Sequence, residues 1–179
     1  YRSAMLSAVV IAADASIPLV ASPEAIVRTL SSLVPAAIEG VIRDLTLATF
    51  GADERLAQIA DHAGCALATA DGAHGVIAAG LKSAKGQHLL ILRAGFAPQV
   101  GFIEEVSDLF GRGRAAGSKG ALLRAEPDSA LTRFAPSLAP IMGLIASKGD
   151  LAKGGPDLGS LARALKGAAT MRVRLRRVE

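Results

Sequence analysis

The stretch His88-Leu-Leu-Ile-Leu-Arg93 constrains the fold of this chain more than any other. Its uninterrupted aliphatic run has strand length and no polar face, so a strand built from it must be covered on both sides. That is the situation at the centre of a parallel sheet, which in turn demands helices above and below.

The rest of the chain supplies alternating strands and helices. Leu6 to Ala12 is a small-aliphatic run of strand length, and Ser22-Pro23-Glu24 then offers a helix cap, a first-turn proline and a first-turn acid. Ile26, Val27, Leu30, Leu33 and Val34 recur at helical spacing, and Pro35 should end or redirect that helix. Val41 to Thr49 reads as a second strand. Asp53 to Ala63 reads as a helix with Leu56, Ile59, Ala60 and Ala63 inward and Gly64 at its end. Cys65 to Ala68 is a third strand, His74 to Ser83 a short helix, and His88 to Arg93 the fourth strand. Beyond it the pattern predicts a helix over Val100 to Phe110, a glycine-rich basic loop from Gly111 to Gly120, and a strand at Ala121 to Arg124. A helical segment from Ala130 to about Ile145, broken by Pro136 and Pro140, and a short helix near Leu158 to Leu165 follow. The last segment alternates Met171, Val173 and Leu175 with Arg172, Arg174 and Arg176, the period of an edge strand.

The expected fold is therefore α/β: a single domain with a mostly parallel central sheet flanked by helices. With 179 residues, 51% of them hydrophobic, the chain can bury one substantial core. Only 3% are aromatic and Trp is absent, so few rings are available to stack on bases. The net charge of +4 is concentrated in Arg172, Arg174, Arg176 and Arg177, and without interleaved aromatics or a reading motif this predicts no nucleic-acid partner. The same arginines make the terminal strand a candidate contact for an anionic membrane or, by edge pairing, for a second copy of the chain. Cys65 is the single cysteine; no intramolecular disulfide can form, and a buried inert thiol is expected. No apolar run approaches the ~20 residues of a membrane span, and Met5 to Ala13 lacks a signal-peptide context, so the expected location is cytoplasmic, with Met5 as the expected native start.

In such sheets ligands bind outside the carboxyl ends of the strands. The segments there are Ala12 to Ala15, Thr49 to Gly51 and Arg93 to Phe96, and their residues resemble a known pattern. Ser7-Ala-Val-Val-Ile-Ala-Ala-Asp-Ala resembles the opening strand of the family 2 glycosyltransferases, the inverting GT-A class that uses nucleotide-sugar donors. Arg43-Asp-Leu-Thr-Leu-Ala-Thr-Phe-Gly-Ala-Asp-Glu resembles that family's second strand and turn. Gly86-Gln-His-Leu-Leu-Ile-Leu-Arg-Ala-Gly-Phe stands where the family carries its metal-binding strand, and Phe102-Ile-Glu-Glu resembles the helix after it. The resemblance covers about residues 5 to 110. It implies a GT-A-like, Rossmann-type nucleotide-sugar-binding core over residues 5–125 and an abbreviated C-terminal part, 126–179, of the same domain. It places Ala12, Ala13, Asp14, Thr49, Phe50, Arg93 and Gly95 against a nucleoside-diphosphate sugar.

The departures from the family bear directly on chemistry. Thr49 replaces an acid that contacts the base, and Arg93 and Gly95 replace the acids that hold Mg²⁺ or Mn²⁺, so no metal site and no cofactor are expected here. A guanidinium can pair with phosphate oxygens in a forked geometry without a metal, which makes Arg93 the expected diphosphate clamp, with Gly95 allowing close backbone approach. The catalytic base is unassigned: Glu126, Asp128, Asp150 and Asp157 are the downstream acids, while Glu104 and Glu105 read as helix-surface groups. Gly111-Arg-Gly-Arg-Ala-Ala-Gly and Gly117-Ser-Lys-Gly miss the dinucleotide and P-loop spacings and read as a mobile basic loop. Three readings stay open on sequence: a metal-independent glycosyltransferase, a non-catalytic relative kept as a binding or assembly module, and an unrelated α/β binder of nucleotides or small anions.

Overall fold

A computed structural model describes residues 6–111 and 120–179. Met5 and most of the glycine-rich loop between Gly111 and Gly120 lie outside the described residues. Strands β1 (Leu6–Ile11), β2 (Ile42–Phe50), β3 (Ala66–Ala70), β4 (His88–Arg93), β6 (Ala121–Arg124), β7 (Ile141–Ser147) and β8 (Ala169–Thr170) form one sheet in the order β3-β2-β1-β4-β7-β6-β8. β1 lies parallel to β2 and β4, β2 parallel to β3, and β6 parallel to β8, while β7 runs antiparallel to both β4 and β6. A separate two-stranded ribbon pairs β5 (Phe96–Pro98) with β9 (Leu175–Arg177).

Side-chain alternation along the central strands divides the core in two. Ala8, Val10, Leu47, Leu90 and Leu92 face α1 (Pro23–Ser32), α3 (Glu54–Ala63) and α5 (Phe102–Gly111). Val9, Ile11, Ala48, Leu89 and Ile91 face α4 (Val76–Ser83) and the helix Leu158–Ala164. Leu89 through Leu92 are each fully buried, which is why their run carries no polar residue. Each such side chain contributes about 1.5–3 kcal/mol on burial.

Local chemistry sets the helix ends. The Ser22 hydroxyl accepts from the Ala25 amide to start α1, the Asp53 carboxylate accepts from Arg55 and Leu56 to start α3, and Gly64 ends α3 at φ 65°. A second short helix, α2 (Val34–Ile38), takes the redirection expected at Pro35.

Several elements differ from the sequence expectation. Residues 130–145 do not form one interrupted helix; Ala130–Phe134 is helical, Pro136–Leu138 is a 3-10 turn, and Ile141–Ser147 is strand β7. Gly143 lets β7 approach β4, since a Cβ there would lie 3.1 Å from the Ile91 carbonyl oxygen. β4 is thus central but has a parallel neighbour on one side only. Val100 is fully exposed, because Gly101 at φ 95° delays α5 to Phe102. Ala63 faces solvent rather than the core. The terminal segment is not a free edge: β9 pairs with β5 on one side, and on the other the Glu126 amide donates to the Leu175 carbonyl. Its alternation holds, with Met171 and Leu175 buried and Arg172 and Arg176 exposed.

α4 packs tightly on the sheet through Gly80, where a Cβ would lie 2.5 Å from Val9 Cγ1 and 3.2 Å from Ala48 Cβ. Gly80→Ala should therefore destabilise the protein by about 1–3 kcal/mol, overriding the better helix propensity of alanine. Gly149→Ala, where no atom lies within 4 Å of the added carbon, should be neutral or mildly stabilising. Urea midpoints of the two variants make the comparison.

Candidate functional site

The carboxyl ends of β1, β2 and β4 lie side by side. Ile11 is in register with Ala48 on one side and Arg93 on the other, and the chain continues by hydrogen bonds from the Ala12 amide to Ala48 and from the Ala94 amide to Ile11. This brings Ala12, Ala13 and Asp14, Thr49 and Phe50, and Arg93 and Gly95 to one end of the sheet. Ala12, Ala13, Asp14, Thr49 and Arg93 are buried, whereas Phe50 and Gly95 are partly exposed.

The guanidinium of Arg93 is turned onto Asp14. Its Nη2 donates to Asp14 Oδ2 at 2.5 Å, with Asp14 0% and Arg93 8% exposed. Asp14 Oδ2 also accepts from the Leu158 amide at 3.2 Å, while Oδ1 accepts from the Ser16 amide, the Ser16 hydroxyl and the Ile17 amide. Burial pushes the Asp14 carboxyl up, yet the Ser16 and Ile17 hydrogen bonds, the Arg93 charge and the Leu158 amide outweigh it and hold the group below its ordinary value. Two buried polar atoms are left without partners at this end of the sheet, Arg93 Nε and Thr49 Oγ1.

A divalent cation of the kind GT-A transferases use does not fit these residues. Arg93 places a cation at the end of β4, both Asp14 oxygens are engaged, and no group of three His, Cys, Asp or Glu residues comes together among the described residues.

Gly95 anchors the surface of the site. Its amide donates to Thr29 Oγ1 at 2.9 Å, and its carbonyl accepts from the Val178 amide at 2.8 Å. The second contact brings the end of the chain to the β4 turn. Arg177 lies there with its guanidinium carbon 5.8 Å from the centre of the Phe96 ring and its Nη1 3.3 Å from Glu179. Its side chain is 66% exposed, so Arg177, stacked on Phe96 and paired with Glu179, is an exposed cation near the β4 turn, although the sequence alone marks it only as part of a terminal basic cluster. The available signal was the resemblance at Gly95 together with the pairing of an extended, alternating tail, but which strand the tail would join was not encoded locally.

The candidate acids divide by role. Asp157 caps the helix Leu158–Ala164, Asp150 accepts from Ser147 Oγ at 2.8 Å, and Glu105 accepts from the Arg172 and Val173 amides, so these serve the fold. Glu126 is exposed and accepts from Gln99 Nε2 beside β5; Asp128 is exposed as well. Cys65 is partly buried, and burial pushes its thiol up, away from the reactive thiolate. A groove of 720 Å³ lined by Val27, Leu30, Val34, Ile38 and Ile42 opens at the amino end of β2, away from these strand ends.

No protein-family model matches the chain, nor does any curated protein sequence. Among solved structures it is similar to the glucosyl-3-phosphoglycerate synthase of Mycobacterium tuberculosis, with a TM-score of 0.66 at 15% identity over 98% of this chain and 72% of that one. A complex of the same synthase with Mn²⁺, UDP-glucose and phosphoglyceric acid matches at TM-score 0.65 and 13% identity, over 93% of this chain and 68% of that one. A further mycobacterial protein matches at TM-score 0.65 and 14% identity, over 96% of this chain and 65% of that one. The chain spans about two thirds of the length of these proteins, 65% in the last case. The likeness establishes a GT-A glycosyltransferase fold.

The depressed Asp14 carboxyl makes stability depend on acid. Because its folded pKa lies below the ordinary 3.8, its contribution is complete above that value and is lost as pH falls through the folded pKa. The unfolding free energy should therefore drop on acidification below about pH 4, and Asp14→Asn should flatten that part of the profile while lowering stability at pH 7 by about 3–5 kcal/mol, since Arg93 is left buried beside a neutral partner. Denaturant titrations from pH 7 to pH 3 check both.

Proposed function

We propose that the protein binds a nucleoside-diphosphate sugar at the carboxyl ends of β1, β2 and β4 and transfers its sugar, as a metal-independent relative of the family 2 glycosyltransferases. The observation that carries the reading is the position of the two arginines at the β4 turn, within a GT-A fold whose solved examples include complexes with UDP-glucose and Mn²⁺. Arg93 forms the buried floor, its charge balanced by Asp14. Arg177, two-thirds exposed near the β4 turn, would exchange its Glu179 partner for phosphate oxygens held in a forked pair.

In this reading the diphosphate lies over Gly95, where the absence of a side chain admits close backbone approach. Phe50 and Thr49 border the base, with the unpartnered Thr49 hydroxyl as the polar group on that side. Leaving-group charge that a divalent ion neutralises elsewhere is met by fixed guanidinium charge, a preorganised electrostatic arrangement. A uridine donor and a small anionic acceptor are the first to try, because the similar synthase structures hold UDP-glucose and phosphoglyceric acid. Residues 5–125 carry the donor side in this scheme and residues 126–179 the acceptor side, where Glu126 and Asp128 are the exposed acids available as a base.

Isothermal titration with UDP, GDP and their glucose conjugates, each with Mn²⁺ and with chelator, tests the reading. The expected result is binding of one nucleotide that chelator leaves unchanged and that Arg177→Ala weakens about tenfold, as for a lost charge-assisted pair. Silence across the set removes the donor site.

A further inference from the structure

The segment Ser129 to Ala139 carries an exposed apolar face that the core does not explain. Leu131 is 66%, Phe134 92% and Leu138 58% exposed. They recur at intervals of three and four residues along two successive helical turns, so they project from one stretch rather than being scattered singly. Isolated exposed leucines are ordinary on soluble domains; three large apolar groups in eight residues, with Thr132 and Ala139 buried between and beyond them, are not.

The stretch is held firmly in that presentation. Ser129 and Thr132 form a reciprocal capping box, and Arg124 Nη1 donates to the Ala139 carbonyl at 2.7 Å from β6. Arginines lie on it and beside it. Arg133 lies on the helix itself, Arg174 Nη1 reaches the Pro136 carbonyl at 3.4 Å, and Arg172 and Arg176 are exposed at the alternate positions on either side of Arg174. Of the acids before the segment, Glu126 is engaged by Gln99 and Asp128 is exposed.

We infer that this face docks the protein on an anionic lipid surface, with Leu131, Phe134 and Leu138 entering the acyl boundary and Arg133, Arg172, Arg174 and Arg176 meeting the headgroup charge. The charge is what selects this occupant: an apolar ridge with Arg133 on its helix and Arg174 bound to its Pro136 carbonyl matches a negative bilayer surface, whereas two copies of the ridge would bring like charges together. Among the described residues no helix is long and apolar enough to cross a membrane. The inference is independent of the donor chemistry.

Co-sedimentation with phosphatidylcholine vesicles, with and without phosphatidylglycerol, tests it on the full chain. Binding should require phosphatidylglycerol, weaken with salt, and fall about tenfold or more in the variant Leu131→Ser, Phe134→Ser, Leu138→Ser. A second variant, Arg172→Glu with Arg176→Glu, should lose binding with its circular dichroism unchanged, which separates charge from misfolding. Absence of binding by the parent protein, equal binding to neutral vesicles, or full binding by the folded serine variant overturns the inference. So does a dimer in sedimentation equilibrium that dissociates on Phe134→Ser without any vesicle binding, since the ridge would then be covered by a second copy.

Discussion

The buried pair Asp14–Arg93 ties together parts of the chain that are far apart in sequence. Asp14 follows β1, Arg93 closes β4, and the same carboxylate receives the first amide of the helix Leu158–Ala164. That helix packs on the face of the sheet that α4 also covers, so one side chain joins the centre of the sheet to the C-terminal third of the protein. A charge pair in this position is weak evidence of net stabilisation, because desolvation offsets much of the attraction. Its consequence is specificity of arrangement: removing either partner strands the other in a nearly dry site, and the remaining hydrogen bonds of Asp14 fix where the strand ends sit.

The same pair changes what the site can do. A fold of this type delivers ligands to the carboxyl ends of its parallel strands whatever the local residues are. Here those ends present a guanidinium already balanced by a carboxylate, and in the proposed reading the exposed positive charge comes from Arg177 on the ribbon that pairs with β5 just after Gly95. Fixed cations of this sort stabilise developing negative charge without the geometric demands of a metal, but they cannot be exchanged or titrated away. The site is therefore organised by the C-terminal segment as much as by the central strands.

How far the sequence reveals this follows from the range of each interaction. β1, β2, β4, α1, α3 and α4 were legible because their signals are local: continuous apolar runs, helical spacing, Ser22 and Asp53 as caps, and Gly64 as a stop. β7 was not, since Ile141-Met-Gly-Leu-Ile-Ala-Ser is a short apolar run that period alone cannot divide between buried helix and strand. Pro140 immediately before it and Gly143 within it were the available signs. For the candidate site, the alternating pattern points to the strand ends, and the family resemblance is what draws Asp14 and Arg93 out of them. Their pairing, 79 residues apart in sequence, is a tertiary fact with no local signature, as is the return of Arg177 to the β4 turn.

Asp14 and Arg93 act as one unit, and a double-mutant cycle measures how strongly. Unfolding free energies of the parent, Asp14→Asn, Arg93→Met and the double variant give the coupling directly. A coupling of about 2 kcal/mol or more is expected for a contact pair so thoroughly buried. Additive single effects, with a coupling near zero, would show that the two residues act separately.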